Sequence, residues 1–86
     1  MGIIENDFGS SVQLYPNPTN GSFSINLGES YDNITITVAD LRGRIIQSKK
    51  YNESQLLNLK IDVPTGVYLL FLVSKDKKAV IKLIKE

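Results

Sequence analysis

The 86-residue sequence contains no cysteine, no histidine and no tryptophan. Without cysteine, neither disulfides nor thiolate metal sites can stabilise the fold, and the composition fits either redox compartment. Without histidine, the chain lacks the side chain that titrates near neutral pH and the commonest transition-metal ligand. Most familiar catalytic constellations need one of these residues. We therefore predict no catalytic site, no cofactor and no metal site.

Long apolar runs and targeting segments are also missing. No stretch approaches the roughly 18 apolar residues of a membrane-spanning helix. No segment has the basic start, apolar stretch and small-residue cleavage site of an export signal. Met1-Gly2 is interpreted as an added start, so the natural protein is expected to extend upstream. The length allows one domain with a single core.

Charge is unevenly distributed along the chain. Residues 1–40 contain five acidic residues and no Lys or Arg, so the remainder carries +6 to give the net charge of +1. Half of the ten basic residues follow Ser74. They interrupt an apolar strand pattern and do not form a basic block with interleaved aromatics, which argues against nucleic-acid binding. We interpret them as solvated lysines of an exposed edge strand.

Apolar and polar residues alternate with period two through most of the chain, which indicates strands throughout. Residues 67–73 are apolar at almost every position, which predicts a central strand covered on both faces. Residues 1–11 are polar and contain glycine, and we predict that they end an interdomain linker ahead of a domain at 12–86. Seven short strands predict an all-β, antiparallel, immunoglobulin-like β-sandwich. The predicted strands are 12–15, 23–27, 34–38, 44–48, 57–61, 67–73 and 79–84.

Three turns between these strands have amino-acid sequences that are more specific than turn chemistry requires. We expect Gly66 to supply a positive φ or a close approach, and Tyr68 to pack its ring while its hydroxyl finds a partner. For the individual turn residues we favour a role in folding over direct contact with a partner. The motifs are Leu14-Tyr15-Pro16-Asn17-Pro18 followed by Gly21, Val38-Ala39-Asp40-Leu41-Arg42-Gly43-Arg44-Ile45-Ile46, and Val63-Pro64-Thr65-Gly66-Val67-Tyr68.

In order and spacing, these turns and the lysine-rich last strand closely resemble the type A C-terminal sorting domain of the type IX (Por) secretion system. That family has a Tyr-Pro-Asn-Pro turn, Asp-Leu-x-Gly-Lys, Leu-Pro-x-Gly-x-Tyr and a Lys-rich final strand, and the resemblance covers residues 12–86. Arg44 replaces the usual lysine and Val63 the usual leucine, which preserves charge and apolar character. The matching positions are Tyr15, Pro16, Asn17, Pro18, Gly21, Asp40, Gly43, Arg44, Gly66, Tyr68, Lys78, Lys82 and Lys85.

The resemblance implies a non-catalytic C-terminal secretion signal of a larger cargo protein from the Bacteroidetes. Its partners would be the N-terminal cargo domains, the type IX outer-membrane translocon and a sortase-like peptidase, with no nucleic acid and no membrane insertion. The cargo would pass through the periplasm to the cell surface or the extracellular space. The peptidase would cleave at or upstream of residues 1–11, where Gly9-Ser10-Ser11 offers small residues.

Two other functions stay open at the level of sequence. A carbohydrate-binding or adhesive β-sandwich module of a secreted protein would show a row or cleft of exposed aromatic residues. We expect Phe23, Phe71 and Tyr68 to lie in the core or at a corner, which leaves Tyr15, Tyr31 and Tyr51 scattered. A structural spacer of immunoglobulin type would tolerate a position in the middle of a chain, whereas a C-terminal sorting signal would not.

Overall fold

The computed structural model describes residues 2–6, 12–75 and 77–86, with residues 2–6 described through their backbone alone. These residues form strands and turns, which confirms the all-β prediction. No helix long and apolar enough to cross a membrane occurs among them. The strands are β1 (Gly2–Asn6), β2 (Gln13–Tyr15), β3 (Ser22–Asp40), β4 (Ile45–Lys60), β5 (Gly66–Ser74) and β6 (Lys77–Lys85).

The strands form one antiparallel sheet in the order β1-β6-β5-β3-β2, and β4 pairs with β3 along its length. β5 lies between β3 and β6, which confirms its central position. β6 lies between β5 and β1, so the interpretation of the last strand as an exposed edge is wrong. Residues 79–82 of β6 therefore have a neighbouring strand on each side.

β3 and β4 form a long hairpin whose strands have 19 and 16 residues. Each strand contains two segments that the sequence predicts as separate strands. In β3 the alternation breaks at 28–33, where Gly28 and Asn33 have φ angles of 85° and 51° and the pairing register with β4 shifts. The backbone passes through this irregularity without ending the strand, which bends the hairpin.

The predicted strand count differs from the structure for this reason. The described residues form six strands, because four predicted segments merge into β3 and β4 while β1 is added. The structure is a single curled sheet, and the seven-stranded, two-sheet immunoglobulin-like sandwich is not confirmed. The curl serves the same physical purpose as a sandwich, since it brings the apolar faces of the two hairpin halves toward each other.

One hydrophobic core fills the inside of the curl, with contributions from β2 through β6. Its side chains come from alternate positions of each strand, as the period-two pattern predicts. Nine of the largest are Ile25, Leu27, Ile34, Ile36, Leu57, Leu70, Leu72, Ile81 and Leu83, all fully buried.

The second face of β5 departs from the prediction. Val67 and Val73 are 38% and 40% exposed, and Leu69 and Phe71 between them are half-buried. Phe71 is thus not a core residue. The other face of β5 is buried, so among the described residues this strand is covered on one side only.

The segment assigned to the end of a linker contains β1, whose backbone pairs with residues 79–82 of β6. Its register shifts between Ile3 and Glu5. The proposed cleavage residues Gly9-Ser10-Ser11 lie outside the described residues. The role of residues 1–11 as an interdomain linker therefore stays a prediction.

Shortening a core side chain on β5 should destabilise the domain strongly. Leu70 is 0% exposed, and we expect Leu70→Ala to lower the free energy of unfolding by about 3 kcal/mol through lost burial and a cavity. Leu56 on β4 is 48% exposed, and Leu56→Ala should cost less than about 1 kcal/mol. Urea denaturation of both variants checks this prediction, and equal losses would contradict it.

Candidate recognition site

The Tyr15–Pro18 turn is attached to the last strand through the side chain of Asn17. Its amide nitrogen donates a hydrogen bond to the Lys82 carbonyl oxygen at 2.9 Å. Its amide oxygen accepts one from the Ile84 backbone N–H at 3.0 Å. The side chain thereby pairs with β6 as a neighbouring strand would. Tyr15 and both prolines around Asn17 are exposed, and both X–Pro bonds are cis.

Thr19 continues this pairing along the end of β6. Its backbone N–H donates to the Ile84 carbonyl at 2.8 Å, and its carbonyl accepts from the Glu86 N–H at 2.8 Å. Its buried hydroxyl donates to the Ser22 carbonyl and accepts from the Gly21 N–H. The end of β6 is therefore paired with the turn where its pairing with β1 stops.

Gly21 holds the same turn against the segment that follows β4. Its carbonyl accepts a hydrogen bond from the Ile61 N–H at 2.7 Å, and its φ angle is +125°. A Cβ atom at this position would lie 2.9 Å from the Ile61 carbonyl oxygen. Both the φ angle and the close approach require glycine.

Asp40 organises the turn between β3 and β4. Its Oδ1 atom accepts hydrogen bonds from the backbone N–H groups of Arg42 and Arg44, each at 2.9 Å. Its Oδ2 atom lies 3.4 Å from the Arg44 Nε atom. Gly43 has a φ angle of 89° and donates its N–H to the Asp40 carbonyl. The Asp, Gly and Arg positions of this motif thus serve one turn.

These contacts also affect the ionisation of Asp40. The hydrogen bond from the Arg44 N–H is the largest influence, and together with the Arg42 N–H and the two guanidinium charges it lowers the pKa of the carboxyl below its usual value. Partial desolvation acts in the opposite direction and is outweighed. The carboxylate is therefore held in its charged form.

The third turn, at residues 64–68, is held by a hydrogen bond from Tyr68. Its hydroxyl donates to the Pro64 carbonyl oxygen at 2.6 Å while its ring is buried, as predicted. Gly66 does not have a positive φ, and a Cβ added there would lie 3.8 Å from the Tyr68 ring, which is ordinary van der Waals distance. The prediction that Gly66 is required by backbone geometry is therefore wrong.

The three turns meet at one end of the sheet. In the strand register Asp40 lies opposite Tyr68, which lies opposite Leu83. Two residues further along the strands, Gly66 lies opposite Lys85, which forms a parallel bridge with Thr19. We call this region, comprising residues 15–21, 40–44, 64–68 and 82–86, the motif end of the sheet.

The three lysines of the motif are not all brought together. Lys82 is exposed at the motif end, and half-buried Lys85 donates from Nζ to the Glu86 carbonyl. Lys78 lies opposite Val73, near the other end of β6. Across the described part of the chain, no three acidic residues are grouped so that they could hold a metal ion.

Two apolar residues of the 38–46 motif are not among the predicted site residues. Leu41 lies within the Asp40 turn and Ile45 directly follows it, and they are 66% and 65% exposed. With Leu69 and Phe71 they line a depression of about 450 Å³ on the outer face of the sheet. An apolar residue inside a turn motif was the available signal for Leu41.

Two of the three motif glycines, Gly21 and Gly66, should respond differently to a Cβ atom. We expect Gly21→Ala to lower the free energy of unfolding by about 2–3 kcal/mol, because of the positive φ and the 2.9 Å contact. Gly66→Ala should change it by less than about 1 kcal/mol, since space and backbone both accept a methyl group. Urea denaturation of the two variants tests this prediction. A greater loss of unfolding free energy in Gly66→Ala than in Gly21→Ala would refute it.

Removing the charge of Asp40 should destabilise the domain in a pH-dependent way. Since the folded pKa lies below the usual value, ionised Asp40 contributes stability above pH of about 4, and the contribution is lost as pH falls through the folded pKa. We expect Asp40→Asn to lower the melting temperature at pH 7, with the difference from wild type shrinking toward pH 2. Asp62→Asn, at an exposed residue, is the control. A difference that grows on acidification would contradict this assignment.

Residues 13–86 match the model of the secretion system C-terminal sorting domain. The chain is also 30% identical, over 89 aligned residues, to an endo-acting ulvan lyase of Formosa agariphila. That alignment covers 95% of this chain and 17% of the lyase, so the chain spans less than a fifth of that relative's length. On the strength of the family match, the chain belongs to the type IX secretion C-terminal sorting domain family.

Proposed function

We propose that this domain is a non-catalytic export signal, which directs a larger cargo protein through the type IX outer-membrane translocon. A sortase-like peptidase then removes it, and the cargo is attached to the cell surface or released. The cargo crosses the periplasm on the way. Family membership carries this proposal, because members of the family serve as C-terminal sorting signals.

The arrangement of the motifs supports recognition of the folded domain. Asn17, Asp40, Gly66 and Lys85 are distant in sequence, yet their turns lie at one end of the sheet. A partner that contacts the motif end meets this surface only when the domain is folded. A short linear peptide taken from any one motif would lack most of it.

The closed edges of β6 bear on how the translocon would bind. Strand addition at an edge of β6 would require β1 or the Asn17–Thr19 segment to be displaced, with loss of their hydrogen bonds. Contact with a face of the sheet needs no such displacement. We therefore favour docking through exposed side chains over strand addition at β6.

The relative in Formosa agariphila supports a modular arrangement. Its alignment with this chain occupies 17% of its length, so the remaining length accommodates other domains. In the proposed protein such domains are the cargo and precede residue 1. Cleavage takes place at or upstream of residues 1–11, which separates cargo from signal.

A secretion assay tests the proposal. Residues 1–86 are fused behind a signal peptide and a fluorescent protein and expressed in a bacterium that has a type IX system. We expect fluorescence at the cell surface or in the medium, and retention in the periplasm of a translocon-deficient strain. A fusion without residues 1–86 is the negative control, and mass spectrometry of the exported protein locates the cleavage site.

Periplasmic retention of a folded, intact fusion in the wild-type strain would refute the proposal. A second fusion carries the domain between signal peptide and fluorescent protein, away from the C-terminus. Equal export of both arrangements would contradict a C-terminal signal. Polysaccharide binding by the non-exported fusion would favour the carbohydrate-binding module instead.

A further inference from the structure

The outer face of β5 is apolar, and the described residues do not cover it. Val67, Leu69, Phe71 and Val73 alternate along β5 with buried residues that point inward. On β6, half-buried Ile84 and Val80 lie opposite Val67 and Phe71. We call these six side chains the outer strip. A contiguous apolar surface of this kind marks an interaction site more often than a bare solvent face.

The outer strip continues into the depression beside the Asp40 turn. Leu69 and Phe71 belong to both, and exposed Leu41 and Ile45 form the opposite wall. Neither Leu41 nor Ile45 belongs to the hydrophobic core. Their exposure at a turn therefore has no explanation in the stability of the fold.

The charges around this surface are mainly positive. Lys82 lies opposite Leu69 on β6, and Lys50 lies opposite Thr35 on β4, so both point to the outer face. Arg42 lines the depression. The carboxylate of Asp40 also lines it, but it accepts two backbone hydrogen bonds and faces the Arg44 guanidinium. The rim thus favours a partner with negative charge.

Resting on the proposed function, we propose that the outer strip and its depression bind a protein of the export machinery through apolar side chains flanked by Asp or Glu. A concave site of about 450 Å³ accepts inserted side chains, which is how protein interfaces place their strongest anchors. Binding to a lipid surface would use protruding apolar groups, whereas the depression is recessed. The cationic rim adds attraction and orients the partner.

Polar substitution of the depression wall tests the site in the same fusion protein. We expect Leu41→Ser/Ile45→Ser to reduce export at least tenfold, with a urea midpoint equal to that of wild type because both side chains are exposed. The matched control is Leu56→Ser, at an exposed leucine outside this surface, which should export normally. Failure of the wild-type fusion to export would refute the proposed function. Normal export of both wild type and the double variant would refute only this inference.

Two further variants test the charge of the partner. Lys82→Glu should reduce export several-fold by repelling a carboxylate, whereas Lys60→Glu, at an exposed lysine elsewhere, should not. Equal effects of the two substitutions would contradict an acidic partner.

Site-specific crosslinking identifies what covers the surface. A photoreactive amino acid at position 45 should give an adduct with a protein of the export machinery in exporting cells, and the same residue at position 56 should not. The crosslinked peptide should contain Asp or Glu beside apolar residues. Adducts with lipid or with a second copy of this domain would overturn the assignment.

Discussion

The two hydrogen bonds between the Asn17 side chain and the backbone of β6 are the contact on which the motif end depends. They join residues 65 and 67 positions apart in the chain. Because one amide group both donates and accepts, it satisfies two backbone groups of β6, the Lys82 carbonyl and the Ile84 N–H. Thr19 and Gly21 follow in positions that bind β6 and the segment after β4. The Asn17 turn, which the sequence predicts as a local turn, therefore joins parts of the sheet that are distant in the chain.

The bent β3–β4 hairpin positions the Asn17 turn for these contacts with β6. One half of β3 pairs with β2 and the other with β5, so a single strand spans both parts of the curl. The first half leads back to the Asn17 turn, and the second ends at Asp40. The hairpin thus sets the distance between the Asn17 turn and the Asp40 turn. The strands β5 and β6 position the third turn, at residues 64–68. Core packing and the placement of the motif residues are consequences of the same bend.

Period-two alternation predicted the inward-facing residues well, because it reports which face of a strand a side chain occupies. Ile25, Ile36 and Ile81 are buried as the pattern requires. Alternation carries no information about which strand is the neighbour, so the pairing of β1 with β6 could not be read from it. Nor does it show whether a strand ends at an irregularity, which is why β3 was divided at Gly28.

The candidate site was predictable in its parts more than in its assembly. The resemblance identified Asn17, Asp40 and Tyr68, but their convergence depends on strand register, which is a property of the whole sheet. Phe71 was misplaced because an apolar residue on a central strand suits both a covered face and a docking face. Gly66 was misinterpreted because a glycine in a turn motif does not by itself reveal its φ angle.

The closure of β6 between β5 and the Asn17 turn has a consequence for synthesis. β6 is the last strand of this domain to leave the ribosome, and its partners include a turn made about 65 residues earlier. In a protein that carries this domain at its C-terminal end, the motif end cannot form until translation has finished. A truncated polypeptide would have no assembled signal, so the fold itself would restrict export to full-length products.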